Sequence, residues 1–470
     1  MPRKLPAKKP AKKKGKSPFR FFDNREKYLM FVTTCSEKWQ VAARMAQELR
    51  HVKPSPPALR VLDAGMGDGT VLTRTMRAMH SMFPTIPFLV VGKEISLEDV
   101  RLSIEKMVDR FHEHLHTVFV ATNLYYYEVA GLTPRHSPPA DFNWQEIELE
   151  GSTTHEFDAQ ISDQLQPILS AGWRTRTSEK TGNPLYVNPS VVVIYRKDHR
   201  FALDSVIPRR GEAQEFDFVI ASQPYQARLP AEVKSRNVLR PLARALAPGG
   251  RMVTVQSTGK DPGMDIVRSV WPEENPFQTP RRMLLDVLRS EMKAERRNLR
   301  YFPYTDSRSQ FRYELHTLSS EISSNIGTST LLAAWNAAVY VAQIDDDKLM
   351  KALRKPAIWR RRKKFCAPMM ASCSPISSSP WRAAGTEGTR CRDCCRITAI
   401  RLFSGERRLL SVRRSPPPIA APGRHGDGQG AKHRSRARTG WRPAIDLAAT
   451  SRGTPPTHFG RASRPPHRRS

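Results

Sequence analysis

The residues with the most chemistry to offer begin in the run Leu59 to Gly69, Leu-Arg-Val-Leu-Asp-Ala-Gly-Met-Gly-Asp-Gly. An apolar stretch ends at the carboxylate of Asp63, and Gly65, Gly67 and Gly69 follow at alternate positions. Glycines at that spacing let a chain bend sharply and leave its main chain open to a ligand. A second carboxylate, Glu94, follows the apolar run that starts at Pro87 and is itself followed by Ile95. One carboxylate at the end of a second strand can accept from two vicinal hydroxyls. Asn123 ends a third run, Thr117-Val-Phe-Val-Ala-Thr, with an amide able to donate and to accept. Ser222 and Tyr225 stand at the end of a fourth, Phe216-Asp-Phe-Val-Ile-Ala. Together they could bind a polar, ribose-bearing ligand beside an aromatic wall.

The elements that must hold these residues follow from the apolar pattern. Val71, Leu72, Met76, Met79 and Phe83 start directly after the glycines, so the first unit reads strand, tight turn, helix. The helix N-terminus would supply free N–H donors and a positive dipole end. Residues 97–115 and 233–246 carry helical periods, and Ala247-Pro-Gly-Gly followed by Arg251–Val255 reads as a helix stop and a fifth strand. Strands alternating with helices predict an α/β fold with a doubly wound, mostly parallel sheet. Residues 21–54 precede it as a helical cover, and a further helix is expected near 280–297. Phe311–Leu318 and Ala337–Ile344 read as late strands, the second as the last of the sheet. About ninety residues, 124–214, separate the third and fourth strands where a short connection is usual. With Tyr125, Tyr126 and Tyr127 at its start, this insertion reads as a substrate-covering subdomain, or else as an extension of the sheet.

A dinucleotide turn, Gly-x-Gly-x-x-Gly, would need glycine at position 70, where Thr70 stands. The spacing Asp-x-Gly-x-Gly-x-Gly instead resembles motif I of class I S-adenosylmethionine-dependent methyltransferases. Across residues 55–260 the later motifs come in that family's order. The resemblance implies a Rossmann-like methyltransferase fold with S-adenosylmethionine as cofactor. The implied cofactor residues are Asp63, Ala64, Gly65, Gly67, Gly69, Glu94, Ile95, Asn123 and Ser222. Asp63 would order the loop and face the methionine amine, Glu94 would hold the ribose, and Asn123 would take the adenine edge, where Asp is more usual. Ser222-Gln-Pro-Tyr225 is similar to the loop of amino-methylating members, with Gln223 in place of a proline. Ser222 and Tyr225 would then face the acceptor. The helical cover would lie over the cofactor. No catalytic base is implied, because displacement at a sulfonium chiefly needs donor and acceptor held in line. The glycine turn without a ligand, a nicotinamide-dependent oxidoreductase and a non-catalytic nucleic-acid-binding protein are the rival readings.

Composition bears on the acceptor. The chain has 470 residues and a net charge of +32. Residues 1–20 hold nine Lys/Arg and no acid, and residues 355–470 hold 26 Lys/Arg against five acids. Only +2 remains for residues 21–354, so the basic character belongs to the ends. A nearly neutral globular part favours a small-molecule acceptor for N- or O-methylation. An RNA or protein acceptor tethered by basic tails is the alternative. Residues 1–20 and 351–470 have the composition of disordered segments flanking a domain at 55–350. The abrupt loss of apolar pattern in the tail also fits an out-of-frame reading of a GC-rich gene. Cys391-x-x-Cys394-Cys395 has the form of half a zinc knuckle, but the upstream pair, Cys366 and Cys373, has six residues between its members, and His112, His114 and His116 share a face only in a strand. Cys35 alone in the front part fits a reducing compartment. Without a signal-peptide core or a membrane-length apolar run, a cytoplasmic protein is expected.

Overall fold

The computed structural model describes residues 25–179, 184–260, 262–293, 295, 299–301, 309–313, 339–353 and 395–404. In chain order, α1 (Arg25–Thr34) and α2 (Glu37–Leu49) precede β1 (Leu59–Asp63), α3 (Thr70–Met82) and β2 (Phe88–Lys93). The period expected over 97–115 is broken into α4 (Leu97–Glu105) and α5 (Val108–Glu113) before β3 (Thr117–Thr122). The insertion holds β4 (Asn143–Leu149), α6 (Thr154–Gly172), the small hairpin β5 (Thr175–Thr177) with β6 (Pro184–Tyr186), β7 (Ser190–Arg196) and α7 (Arg200–Leu203). Next come β8 (Phe216–Ser222) and α8 (Ala231–Lys234). A π turn over Ser235–Leu239 joins α8 to α9 (Arg240–Arg244). Then follow β9 (Leu246–Ser257), α10 (Pro262–Val270), α11 (Arg281–Lys293), β10 (Leu299–Tyr301), β11 (Gln310–Tyr313), a final helix α12 (Asp346–Leu353) and β12 (Cys395–Ser404).

The main sheet runs β10-β12-β9-β8-β1-β2-β3-β7-β4, with β11 beside β12. Pairs from β9 to β3 are parallel, while β7 on β3 and β12 on β9 are antiparallel. This is the doubly wound methyltransferase arrangement that the motif order implies. Strand residues alternate between two buried faces. Val61, Val90, Phe119 and Ile194 pack with α2, α3, α5 and α6 through Met45, Leu72, Phe111 and Ile161. Leu62, Val91, Val120 and Val193 pack the other way, on Val238, Leu242, Leu284 and Leu288. Both faces being covered explains why the parallel strands read as continuous apolar runs.

Three expectations change. The insertion is chiefly a sheet extension, since β7 and β4 add two strands beyond β3, and α6 covers them. Among its described residues only Tyr125–Tyr127, Pro184 and Leu185 reach the cavity described below. Within Ala337–Ile344, residues 339–341 are helical, with the Ile344 N–H donating to Val339 O; residues 337 and 338 lie outside the described set. The antiparallel strand beside β9 is supplied instead by Cys395–Ser404, ten residues inside the stretch whose composition predicts disorder, and β10 and β11 flank it on its other side. Of Phe311–Leu318, residues 311–313 belong to β11 and the rest lie outside the described residues. The basic leader and the remainder of the tail also lie outside them. Among the described residues no helix is long and apolar enough to cross a membrane.

Candidate functional site

The chain leaves β3 for β8, which lies on the opposite side of β1, so the winding direction reverses between β1 and β8. Ligands bind outside the carboxyl ends of strands at such a reversal. A cavity of about 680 Å³ opens there. Gly65 and Gly67 after β1, Lys93 and Glu94 at β2, and Ser222 at β8 all line it. That volume is in the range of small-molecule sites.

Glu94 organises the wall. Its Oε2 accepts from the Gly67 N–H at 3.0 Å, and its Oε1 accepts from the N–H groups of Ile95 at 2.7 Å and Ser96 at 2.9 Å. Three of about four acceptor positions of a carboxylate are therefore in use. One position is left over on a residue that lines the cavity. Gly65 presents open space where a Cβ would stand, so its missing side chain is part of the cavity. Gly69 has another task. At φ +77° it caps α3, and a Cβ there would come within 3.0 Å of the Ser103 backbone. It fixes how α3 meets α4 and is not among the cavity-lining residues.

Asp63 is 1 % exposed and lies behind the wall. Among the described residues neither carboxylate oxygen has a partner within ordinary hydrogen-bond geometry, although the Gly65 N–H lies close enough to favour its charged form. Burial pushes its pKa up to about 7, with Lys38 opposing and Glu94 adding to the rise. The Gly65 backbone N–H also opposes the rise, so Asp63 and Glu94 both hold the glycine loop, Asp63 at Gly65 and Glu94 at Gly67. Ala64 is fully buried, with its N–H donating to Ile220 O, and it too is absent from the wall. Ile95 does line the cavity.

Asn123 is a clear correction. Its amide donates to Gly172 O at 3.0 Å and Asn188 O at 2.9 Å, and its carbonyl accepts from the Ser190 N–H at 2.8 Å. It pins the insertion to the end of β3, is 1 % exposed and does not line the cavity. Asn123→Ala is expected to cost about 2 kcal/mol of stability, because buried backbone groups lose their partners. Its affinity for S-adenosylhomocysteine should stay within twofold. Chemical denaturation and calorimetry on the same samples check both.

On the far side, the Ser222 hydroxyl has no partner and stands on the cavity wall. Gln223 takes φ +47°, which a proline locked near −65° cannot adopt, so the exchange at this position reflects a different loop geometry. Tyr225 lines the cavity with its hydroxyl donating to Gln256 Oε1 at 3.0 Å. Tyr126 donates to Pro224 O at 2.9 Å, so the insertion's tyrosines brace this loop.

The sequence reading missed several lining groups. Tyr28, Phe31 and Lys38 come from α1 and α2, the expected helical cover. Lys38 stands 5.4 Å from the centre of the Tyr28 ring. Burial disfavours its charge, but Glu37 and Asp68 more than offset this, and its pKa is raised. Lys93 is 8 % exposed and lies 5.0 Å from the centre of the Tyr126 ring. Burial lowers its pKa against the pull of Glu94. A lysine inside an otherwise apolar strand was the available signal. Arg236, Arg240 and Arg244 also line the cavity. Among the described residues no group of His, Cys, Asp and Glu is placed to hold a metal ion.

No protein-family model matches the sequence, and no curated protein does. Among solved structures, the chain is similar to geranyl diphosphate C-methyltransferase from Streptomyces coelicolor A3(2), at 12% identity over 77% of this chain and 75% of that chain, with TM-score 0.27. It is also similar to a putative O-methyltransferase from Klebsiella pneumoniae, at 12% identity over 59% and 73%, with TM-score 0.23. A third is phosphoethanolamine N-methyltransferase 2 of Haemonchus contortus, at 10% identity over 77% and 52%, with TM-score 0.27. Overlap this low carries no argument, and the fold stands on the strand order alone.

Proposed function

We propose that the protein is an S-adenosylmethionine-dependent methyltransferase acting on a small-molecule acceptor. The observation that carries this reading is the Glu94 carboxylate bonded to the Gly67 N–H at the winding reversal, on the wall of a cavity large enough for cofactor and acceptor together. The residues fit a nucleoside. An acid faces the place for ribose hydroxyls, and Gly65 leaves the space that a side chain would fill.

When bound, the cofactor supplies an activated methyl group on a sulfonium whose leaving group is neutral. The chain's work is positional. Glu94 and the Gly65–Gly67 turn hold one end, while Ser222 and Tyr225 face the acceptor. Tyr28 and Phe31 close over the loop and exclude water. No described group needs to move a proton for a nucleophile with a free lone pair.

A thermal-shift comparison tests this reading against its rival on the same fold class. Saturating S-adenosylhomocysteine should raise the melting temperature, and NAD should leave it unchanged. Stabilisation by NAD alone would reverse the assignment.

A further inference from the structure

Two sides of the cavity differ in charge. At the glycine-turn end, Glu94 and Asp99 line the wall, and Asp63 is buried behind it. The helix that runs from α8 through the π turn to α9 borders the cavity from the other face of the sheet, away from α2 and α3. Arg236, Arg240 and Arg244 recur there every fourth residue and all line the cavity. Arg240 and Arg244 share one carboxylate: Glu295 Oε1 lies 2.6 Å from a guanidinium nitrogen of each. Glu291, which holds the Ser235 hydroxyl, also acts on Arg244, so acids largely balance that pair. Arg236, exposed to solvent, has no ion pair among the described residues.

Lys93 adds a buried charge. It is more than nine-tenths buried and lines the cavity. Its ammonium makes no hydrogen bond and no ion pair within 4 Å among the described residues. The centre of the Tyr126 ring stands 5.0 Å from it. An ammonium so placed costs free energy unless a counter-charge meets it. Burial already weakens its hold on the proton, and an anion arriving in the cavity would restore it.

We infer that the acceptor carries an anionic group, a carboxylate or a phosphate, drawn into the cavity by Lys93 and the Arg236–Arg240–Arg244 face. Guanidinium rows match the planar or tetrahedral oxygens of such groups, and an ammonium meets them as a point charge. A cationic acceptor is disfavoured, because the rings of Tyr28 and Tyr126 already have lysines beside them. The inference rests on reading the Gly65–Glu94 end as the cofactor end, which leaves the arginine side to the acceptor.

The test uses the full chain and three small probes that share a ring suited to the tyrosine walls: phenyl phosphate, benzoate and uncharged benzyl alcohol. Each is titrated calorimetrically with and without saturating S-adenosylhomocysteine. Wild type should bind one of the two anions at least about tenfold more tightly than benzyl alcohol. The preferred anion separates a phosphate source from a carboxylate source. The variants are R236A, at an exposed position, and K93M, which keeps the apolar stem. Each should weaken anion binding about tenfold while S-adenosylhomocysteine affinity changes less than twofold. The basic termini are identical in all samples, so anion binding by the termini alone would be unchanged in the variants and would overturn the proposal. Benzyl alcohol binding as tightly as the anions, or neither anion binding, would do the same. Failure of the cofactor reading is seen separately, as wild type that does not bind S-adenosylhomocysteine.

Discussion

Glu94→Ala is expected to weaken S-adenosylhomocysteine binding by on the order of 1–3 kcal/mol, roughly ten- to a hundredfold. Two losses combine. The carboxylate would no longer meet the ribose hydroxyls, and the N–H groups of Gly67, Ile95 and Ser96 would lose their acceptor. The second loss frees the glycine turn before any ligand arrives, so the bound shape must be selected from more conformations. Glu94→Gln separates the two. It keeps one acceptor oxygen for a backbone N–H but places a donor where the wall presents donors already. Its affinity should fall between wild type and Glu94→Ala. Calorimetry checks the series, and unchanged affinity in Glu94→Ala would mean the ribose is held elsewhere.

The second large effect concerns Asp63. Its folded-state pKa, about 7, lies well above the ordinary 3.8. Folding therefore favours the protonated carboxyl. That stability is complete below the ordinary pKa and is lost as pH rises through about 7. Three pH units at 1.36 kcal/mol each give a penalty on the order of 4 kcal/mol for the charged form above neutrality. Asp63→Asn keeps the shape and removes the charge. The variant should be more stable than wild type at pH 8.5, with the advantage shrinking steadily toward pH 4.5. Urea unfolding at both values measures it. A difference that does not change with pH would show that Asp63 is ionised throughout, balanced by Lys38.

What could be read from the chain was whatever depends on neighbours in sequence. The turn at Gly65, Gly67 and Gly69, the acid after β2 and the apolar strands are local patterns, and each appears where expected. Asn123 was misread because its partners lie 49, 65 and 67 residues away, and nothing at position 123 announces them. Ala337–Ile344 is a short apolar run, a length at which strand and helix give the same signal. Cys395–Ser404 carries its own apolar residues, but the surrounding arginines and prolines set the composition of any longer window. Asp63 stands at the expected turn, beside Gly92 in the β1–β2 register, with the Gly65 N–H near its carboxylate, while the bond from the Gly67 N–H to Glu94 depends on that register and not on spacing.

The most direct measurement is a calorimetric titration of the full chain with S-adenosylhomocysteine, run beside Gly65→Val. The Gly65 Cβ position is open space, so the new side chain would enter the cavity, while φ +156° adds backbone strain at the turn, and thermal unfolding of the variant must first show that it is folded. Wild type should bind one molecule per chain, and Gly65→Val should show no measurable heat at the same concentrations. Wild type without binding, or a variant that binds as well as wild type, would contradict a cofactor seated at the β1–β2 end of the cavity.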